Sequence, residues 1–466
     1  MNKRPNVVFL FTDDQRFDAL GCAGNPVVLT PHMDALARRG VSFSHACIPG
    51  GTSAAVCMPS RAMLNTGRTL FHISGTGEEI NPEHTTLGEA FGTAGYHTFA
   101  AGKWHNGTAA FKRSFNDGAE IFFGGMADHW NVPVFDFDPS GKYDKRCLYV
   151  ENPFGSNTTK ERCCDHIHAG RHSTDIISDA GVRFLRDYRG DDPYFMYLAF
   201  LAPHDPRTMP REFLEMYRPE DIPIPPNFLE AHPFDNGELS VRDEMLAGFP
   251  RKPEEIRRHL ADYYAMITHL DDRIGRVVAA VEARGEMDNT VFVLCGDNGL
   301  ALGQHGLMGK QSLYEHSIRV PLMFAGPGVP CEIRSSAQAY LLDIFPTLCS
   351  LCDVPVPPSV EGIDLSSAMK SDGSGGRETM YLAYTDKHRG IRTGKWKFIE
   401  YVVAGRHSMT QLFDLHKDPW ETRNLAADSA YADTLLELRR ELHSLRDAWQ
   451  DKETVWGKTF WEGYNN

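Results

Sequence analysis

Val7-Val8-Phe9-Leu10-Phe11-Thr12-Asp13-Asp14-Gln15 decides the fold of this chain. A short run of apolar β-formers ends at once in two carboxylates. Such a continuous run suits a strand buried on both faces, as in a parallel sheet layered between helices. Three other segments repeat the design. His97 to Ala101 ends in Gly102-Lys103-Trp104-His105, and Tyr194 to Leu201 ends in Ala202-Pro203-His204-Asp205-Pro206. Val291 to Cys295 ends in Gly296-Asp297-Asn298-Gly299. Helical stretches lie between them at Pro31 to Arg39, Thr86 to Ala94, Thr174 to Tyr188 and Ile256 to Arg284. Strand–helix alternation predicts an α/β fold, a large, mostly parallel sheet with right-handed crossovers. Ligands of such sheets bind beyond the carboxyl ends of the strands, so the four polar clusters should face one crevice.

At 466 residues the chain exceeds what one core usually serves. We expect a catalytic domain over 1–355 and a smaller α+β unit over 356–466, because the pattern changes after Pro357-Pro358. There Arg389 to Tyr401 reads as a hairpin, Gln411 to Leu415 as a third strand and Ser429 to Asp447 as a helix. The irregular stretches 106–170 and Pro203 to Pro253 are long enough to be binding loops.

Lys plus Arg number 48 against 62 Asp plus Glu, a net charge of −14. That balance argues against nucleic acid or an anionic membrane as partner. An anionic substrate would need a locally basic pocket. The apolar run before Asp13 is too short for a secretory leader, and no run reaches membrane-spanning length, so the expected location is cytoplasmic. The ten cysteines show no disulfide framework. Cys349 and Cys352 read as core residues of an apolar helix. Cys163-Cys164 lies among His166, His168 and His172, at a spacing that matches no common zinc pattern.

Asp13, Asp14, Asp297 and Asn298 offer hard oxygen ligands, which favour calcium or magnesium over zinc. Asp13-Asp14 alone would read as a turn or helix cap; its pairing with a second cluster at an equivalent strand end makes a metal site the better reading. Arg61, Lys103 and Lys310 would supply the local positive charge. In Cys57-Met58-Pro59-Ser60-Arg61 the proline suits a helix's first turn, which would aim backbone donors at an oxyanion. Left as a thiol, Cys57 could instead be a buried cysteine or a metal-bound thiolate.

The Cys57 segment matches the signature Cys-x-Pro-Ser-Arg, and the chain resembles the type I sulfatases. Thr12-Asp13-Asp14-Gln15, Gly102-Lys103-Trp104-His105, Ala202-Pro203-His204 and Gly296-Asp297-Asn298-Gly299 match that family's motifs in order. Gly303-Gln304-His305-Gly306, Gly309-Lys310 and the segment Leu412 to Glu421 do so as well. The resemblance implies an alkaline phosphatase-like fold and one calcium ion, ahead of magnesium or manganese, held by Asp13, Asp14, Asp297, Asn298 and residue 57. It implies that Cys57 is oxidised by a separate formylglycine-generating enzyme to 3-oxoalanine (formylglycine). The hydrated aldehyde would attack sulfur and give a covalent sulfo-enzyme. Arg61 would hold the hydrate, Lys103 and Lys310 the sulfate oxygens, His204 would protonate the leaving alcohol, and His105 would help expel sulfate. The expected substrate is a sulfated saccharide or other small sulfate ester. A phosphonate or phosphate-ester hydrolase, and a silent sulfated-glycan binder with unmodified Cys57, remain as alternatives. Arg207, His129, Trp130 and Asn131 sit in candidate substrate-binding loops. His305 has two open readings, one near the metal and one purely structural. The subunit count stays open, with an oligomer among the options.

Overall fold

The computed structural model describes residues 4–152, 154–370 and 373–465. An eight-stranded sheet crosses it in the order Ile333–Tyr340, Gly40–Cys47, Leu322–Ala325, Thr290–Gly296, Asn6–Thr12, Tyr194–Ala199, His97–Lys103, Asp117–Phe122. Leu322–Ala325 runs against its neighbours, and the other seven strands run one way. The four strands read from their apolar runs form the middle of this sheet, as expected. Those at its edges carry polar residues (Ser42 and Ser44; Arg334 and Gln338) or are short, which hid them from that pattern.

Asn6–Thr12 shows why the centre is apolar throughout. Val8 and Leu10 join one buried cluster with Met33, Ile177, Leu260 and Ile274. Val7, Phe9 and Phe11 join another on the opposite face with Met63, Phe91 and Phe345. Neighbouring residues thus point into two helix-covered cores. The helix Pro253–Ala283 begins on Pro253 with Glu254 and Glu255 in its first turn, both favourable at a positively polarised end. Its buried Ile256, Leu260, Tyr263, Ile267, Leu270 and Ile274 recur every three or four residues along one stripe.

A second sheet takes the order Arg406–Asp414, Trp396–Val403, His388–Thr393, Thr379–Tyr384, Gly50–Gly51. The hairpin, third strand and helix (Ala432–Ala448) expected from sequence are present. Thr379–Tyr384 and a last helix, Val455–Asn465, add to them. Gly50–Gly51 reaches in from the N-terminal part and pairs in parallel with Thr379–Tyr384. Ile391, Phe398 and Leu412 share one apolar cluster with Val7 and Phe9. The edge strand Gly50–Gly51 lies just upstream of Cys57, so the small sheet braces the segment that carries it.

Candidate active site

Parallel register brings the polar strand ends to one level. Thr12 pairs with Gly296, Phe11 with Ala199, and Ala199 with Gly102. The next residues of each strand are therefore neighbours: Asp13 and Asp14, Asp297 and Asn298, Lys103, and a little farther on His105 and His204. Gly102, at φ 94°, permits the approach, because a Cβ there would sit 1.9 Å from the Ala199 carbonyl oxygen. Asp14 and His105 both adopt left-handed backbone, φ 61° and 74°. Strain of this kind in non-glycine residues persists where surrounding contacts over-determine it.

The helix Cys57–Thr66 aims its first turn at these strand ends. Cys57 and Arg61 are one turn apart on the same face, so both reach the cluster. Arg61 is fully buried. Its Nε donates to Asp297 Oδ2 at 2.9 Å, one Nη to Asp13 Oδ2 at 3.2 Å, and the other to the Lys103 carbonyl at 2.9 Å. Ser60 Oγ donates to the Asp297 carbonyl at 2.5 Å. Lys103 Nζ donates to Asp13 Oδ2 at 2.5 Å, and Lys310 Nζ to Asp14 Oδ1 at 2.6 Å. Cys57 Sγ lies 3.6 Å from both Lys103 Nζ and His105 Nδ1.

The donor set fits a hard cation. Among the buried oxygens, Asp13 Oδ1 and Asn298 Oδ1 have no hydrogen-bond partner. Such orphans are costly unless something binds them. Asp13, Cys57 and Asp297 also converge to within 4.8 Å through one potential ligand atom each. Oxygen-rich ligation is what calcium or magnesium takes, and Asp13, Asp14, Asp297 and Asn298 would hold the ion.

Burial and charge set the protonation states. Burial opposes ionisation of Asp13, but Lys103, Arg61, His204 and Lys310 outweigh it and hold its carboxyl well below the usual range. Burial and the adjacent Asp13 charge push Asp297 up to about 7, with Arg61 pulling the other way. Burial, then Lys103 and Arg61, lower His105 to about 2, so it is a neutral imidazole. Burial pushes the Cys57 thiol up in spite of Lys103 and Lys310, which disfavours a bare thiolate nucleophile. His204 Nδ1 meets the Asp205 carbonyl at 2.7 Å, which turns Nε2 towards Asp14, 3.7 Å from its Oδ2.

A cavity of about 240 Å³ opens onto this cluster, lined in part by Cys57, His105, His204 and Lys310. Gly125, Met126, Arg242 and Asp243 also line it. Sequence reasoning placed these four in its candidate binding loops but did not single them out, because those loops show no periodic pattern. Asn106 was missed too, although it follows His105: its Nδ2 donates to the carbonyls of Met58 and Gly77, holding the start of the Cys57 helix. The four loop residues read as substrate contacts do not line this cavity. His129 is buried, with one ring nitrogen on Ser173 Oγ at 2.6 Å and the other on the His204 carbonyl at 3.0 Å. Trp130 packs edge-on to His172, Asn131 donates to Asp128, and Arg207 donates to His259. The physical reason for His129 is that two hydrogen bonds draw its ring inward. His305 stacks on Tyr314 at 4.0 Å and bonds to Asn227, a packing role.

A mostly parallel sheet with acidic and cationic strand ends around buried Cys57 is an alkaline phosphatase-like architecture. A sulfatase family model matches residues 5–354, and a model of the N-sulphoglucosamine sulphohydrolase C-terminal region matches 303–448. The chain belongs to the sulfatase family, in its type I branch, and is a sulfuric ester hydrolase. An arylsulfatase of Clostridium perfringens is 29% identical over 94% of each chain. An N-acetylglucosamine-6-O-sulfatase of Bacteroides thetaiotaomicron is 26% identical over 97% of this chain and 89% of its own. A solved structure in complex with its substrate D-glucosamine-2-N,6-O-disulfate superposes with a TM-score of 0.78 at 24% identity, over 96% of this chain and 99% of that one. The phosphonate monoester hydrolase of Agrobacterium radiobacter superposes with a TM-score of 0.74 at 22% identity, over 96% of each. These two likenesses speak to the fold alone.

Proposed function

We propose that the protein hydrolyses a sulfate monoester on a sulfated saccharide, using formylglycine formed from Cys57 and one bound calcium ion. The observation that carries this reading is the position of Cys57 Sγ, 3.6 Å from both a lysine ammonium and a neutral imidazole, beside orphaned carboxylate and amide oxygens. Hydrated formylglycine would supply an oxygen nucleophile for sulfur, and calcium would supply positive charge to hold that oxygen and the sulfate.

The chain's own side chains do the rest. Asp13, Asp14 and Asp297 balance Arg61, Lys103 and Lys310, so a bound divalent ion leaves the pocket cationic in an otherwise acidic protein. Lys103 and Lys310 bind sulfate oxygens and offset charge as the S–O bond to the alcohol breaks. Arg61, locked by two aspartates and a carbonyl, fixes the helix turn that presents residue 57. His204 Nε2 gives a proton to the departing alcohol oxygen. His105, kept neutral by its surroundings, would serve as the base for residue 57 when sulfate is released. The saccharide is supported by the N-acetylglucosamine-6-O-sulfatase among the relatives and by Arg242, Asp243 and Gln311, which offer polar groups in a mainly apolar cavity wall.

Peptide mass spectrometry across residue 57 of protein from its native cell, with rates on matched sulfate and phosphonate esters, tests the proposal. Expected are the aldehyde mass and faster sulfate cleavage. An unmodified thiol removes the nucleophile, and a preference for phosphonate moves the protein to the related hydrolases.

A further inference from the structure

Away from the active site, a buried carboxylate meets two histidines from a distant part of the chain. Glu120 belongs to Asp117–Phe122, at the edge of the large sheet. The pairing with His97–Lys103 slips by one residue there: Ala101 faces Ala119, and Gly102 faces Ile121. Glu120 is the extra residue of this bulge, with φ 53°. Its side chain turns inward and is only 6% exposed. His166 opens the short strand His166–Ile167, which follows the Arg146–Val150 and Thr159–Cys163 hairpin and pairs with Pro133–Val134; His168 comes just after it, and both are about one-third exposed. His166 Nε2 lies 3.3 Å from Glu120 Oε2, and His168 Nε2 lies 2.9 Å from the same oxygen. Arg183 Nη2 takes the other oxygen, Oε1, at 3.2 Å.

We propose that Glu120, His166 and His168 form a second metal site, for a divalent transition ion of the zinc type. One ligand atom from each lies within 4.8 Å of the other two. Around a tetrahedral zinc with bonds of about 2.0–2.1 Å, donor atoms sit about 3.3 Å apart, close to the separations seen here. Two imidazoles and one carboxylate suit zinc and its neighbours in the first transition row, whereas calcium takes oxygens. The exposed histidine side gives an ion a way in and leaves room for a water ligand. Asp136 Oδ2, 3.9 Å from His166 Nδ1, stands where an orienting carboxylate behind a ligating ring would stand. The site shares no residue with the cluster around Asp13 and Asp297 and lacks a nucleophile, so its work is to add a second fastening of the His166–His168 segment to the sheet edge, beside the strand pairing with Pro133–Val134. That edge continues through Phe122 to Gly125 and Met126 in the cavity wall, and a Cβ at Gly125 would lie 3.0 Å from His105 Nε2. A fastened Glu120 therefore holds one wall of the active site. The cysteines that share this part of the sequence stay out of the cluster: Cys163 Sγ faces the Tyr143 carbonyl, and Cys164 Sγ faces the Arg162 carbonyl.

Zinc titration of the calcium-saturated, full-length protein by calorimetry tests the proposal, with cobalt absorption as a second probe of the ligand field. One zinc per chain should bind beyond the calcium site and raise the melting temperature. His168→Gln keeps an N–H for Glu120 but no zinc ligand. It should weaken zinc by at least about 100-fold, the upper end of the cost of losing even an outlying partner of a metal ligand. Glu120→Gln should weaken it similarly, and Cys163→Ser should leave it unchanged. Absence of the additional zinc in the wild type, or equal affinity in a folded His168→Gln protein, would show the cluster to be an ion pair and overturn the proposal. Loss of binding in Cys163→Ser would assign the metal to thiols and overturn it equally.

Discussion

Two buried charge clusters of this molecule are built differently. Around Glu315, the Nε and an Nη of Arg392, Lys397 Nζ and an Nη of Arg319 supply donors to both carboxylate oxygens at 2.7–3.1 Å. Glu421 Oε2 accepts from the Glu315 backbone at 2.8 Å. This knot ties the small sheet to the large one; Arg319 borders a separate cavity that Cys57 does not line, and Glu421 Oε1, without a hydrogen bond, lies 3.5 Å from Lys397 Nζ. At the strand ends, Asp13, Asp14 and Asp297 have as many cationic partners, yet Asp13 Oδ1 and Asn298 Oδ1 are left bare in a cluster whose Lys310 lines a cavity with Cys57. Charge burial alone does not mark a site. Unsatisfied oxygens next to a cavity do, because their cost implies a ligand.

The sharpest way to break this comparison is to remove the atom at its centre. Cys57→Ala should lower turnover by at least about 10⁴-fold, since loss of a nucleophile can reach about 10⁶. The melting temperature should hardly move, because the Cys57 side chain ties nothing together. Residual turnover near wild type, measured on an arylsulfate, would place the nucleophile elsewhere. Asp297→Asn comes next. It keeps the shape and removes one ligand charge, and should cost about 10³-fold, or about 4 kcal/mol, in line with the several kcal/mol that a metal supplies. Chelation should silence the wild type, and calcium should restore it. An Asp297→Asn protein with full activity and undiminished calcium affinity would take Asp297 out of the metal site.

At the other cluster the sign of the outcome reverses. Glu315→Gln leaves Arg392 and Lys397 buried without their main anion, a loss of about 3–5 kcal/mol of stability. The urea midpoint should fall while kcat of the folded fraction stays near wild type. If kcat falls and the midpoint holds, the knot belongs to the active site.

What the sequence disclosed follows the same division. The polar strand ends were legible because buried parallel strands need unbroken apolar runs, and Asp13, Lys103, His204 and Asp297 follow such runs directly. The sheet edges were not, since Gly40–Cys47 and Ile333–Tyr340 mix polar residues with apolar ones. Nor was the cavity rim. Arg242 and Asp243 arrive on a proline-rich loop whose course is set by tertiary contacts such as the Arg242–Asp205 ion pair. Glu120 was invisible for a further reason, because its inward turn depends on a one-residue slip between strands.

The smallest effect lies between these extremes, at a half-buried pair. Glu361 accepts from the Thr69 backbone and hydroxyl at 2.7 and 2.9 Å and pairs with His72 Nδ1 at 2.7 Å. It joins the turn after the Cys57 helix to the segment leading into the small sheet. Burial would raise Glu361, but the bonds from His72 and Thr69 bring it down to about 2. The bond to Glu361, against burial, raises His72. The depressed carboxyl gives stability that is complete above its ordinary value of 4.5 and is lost as pH falls towards about 2. The raised imidazole gives stability that is complete below its ordinary value of 6.5 and is lost as pH climbs through its higher folded value. Both contributions coincide only between those ordinary values. With each side chain about a quarter exposed, water screens much of the interaction. Glu361→Gln should therefore cost only about 1 kcal/mol in that window and less on either side. Urea midpoints of both proteins across pH check it, and a constant difference would show that the pair contributes shape but no charge.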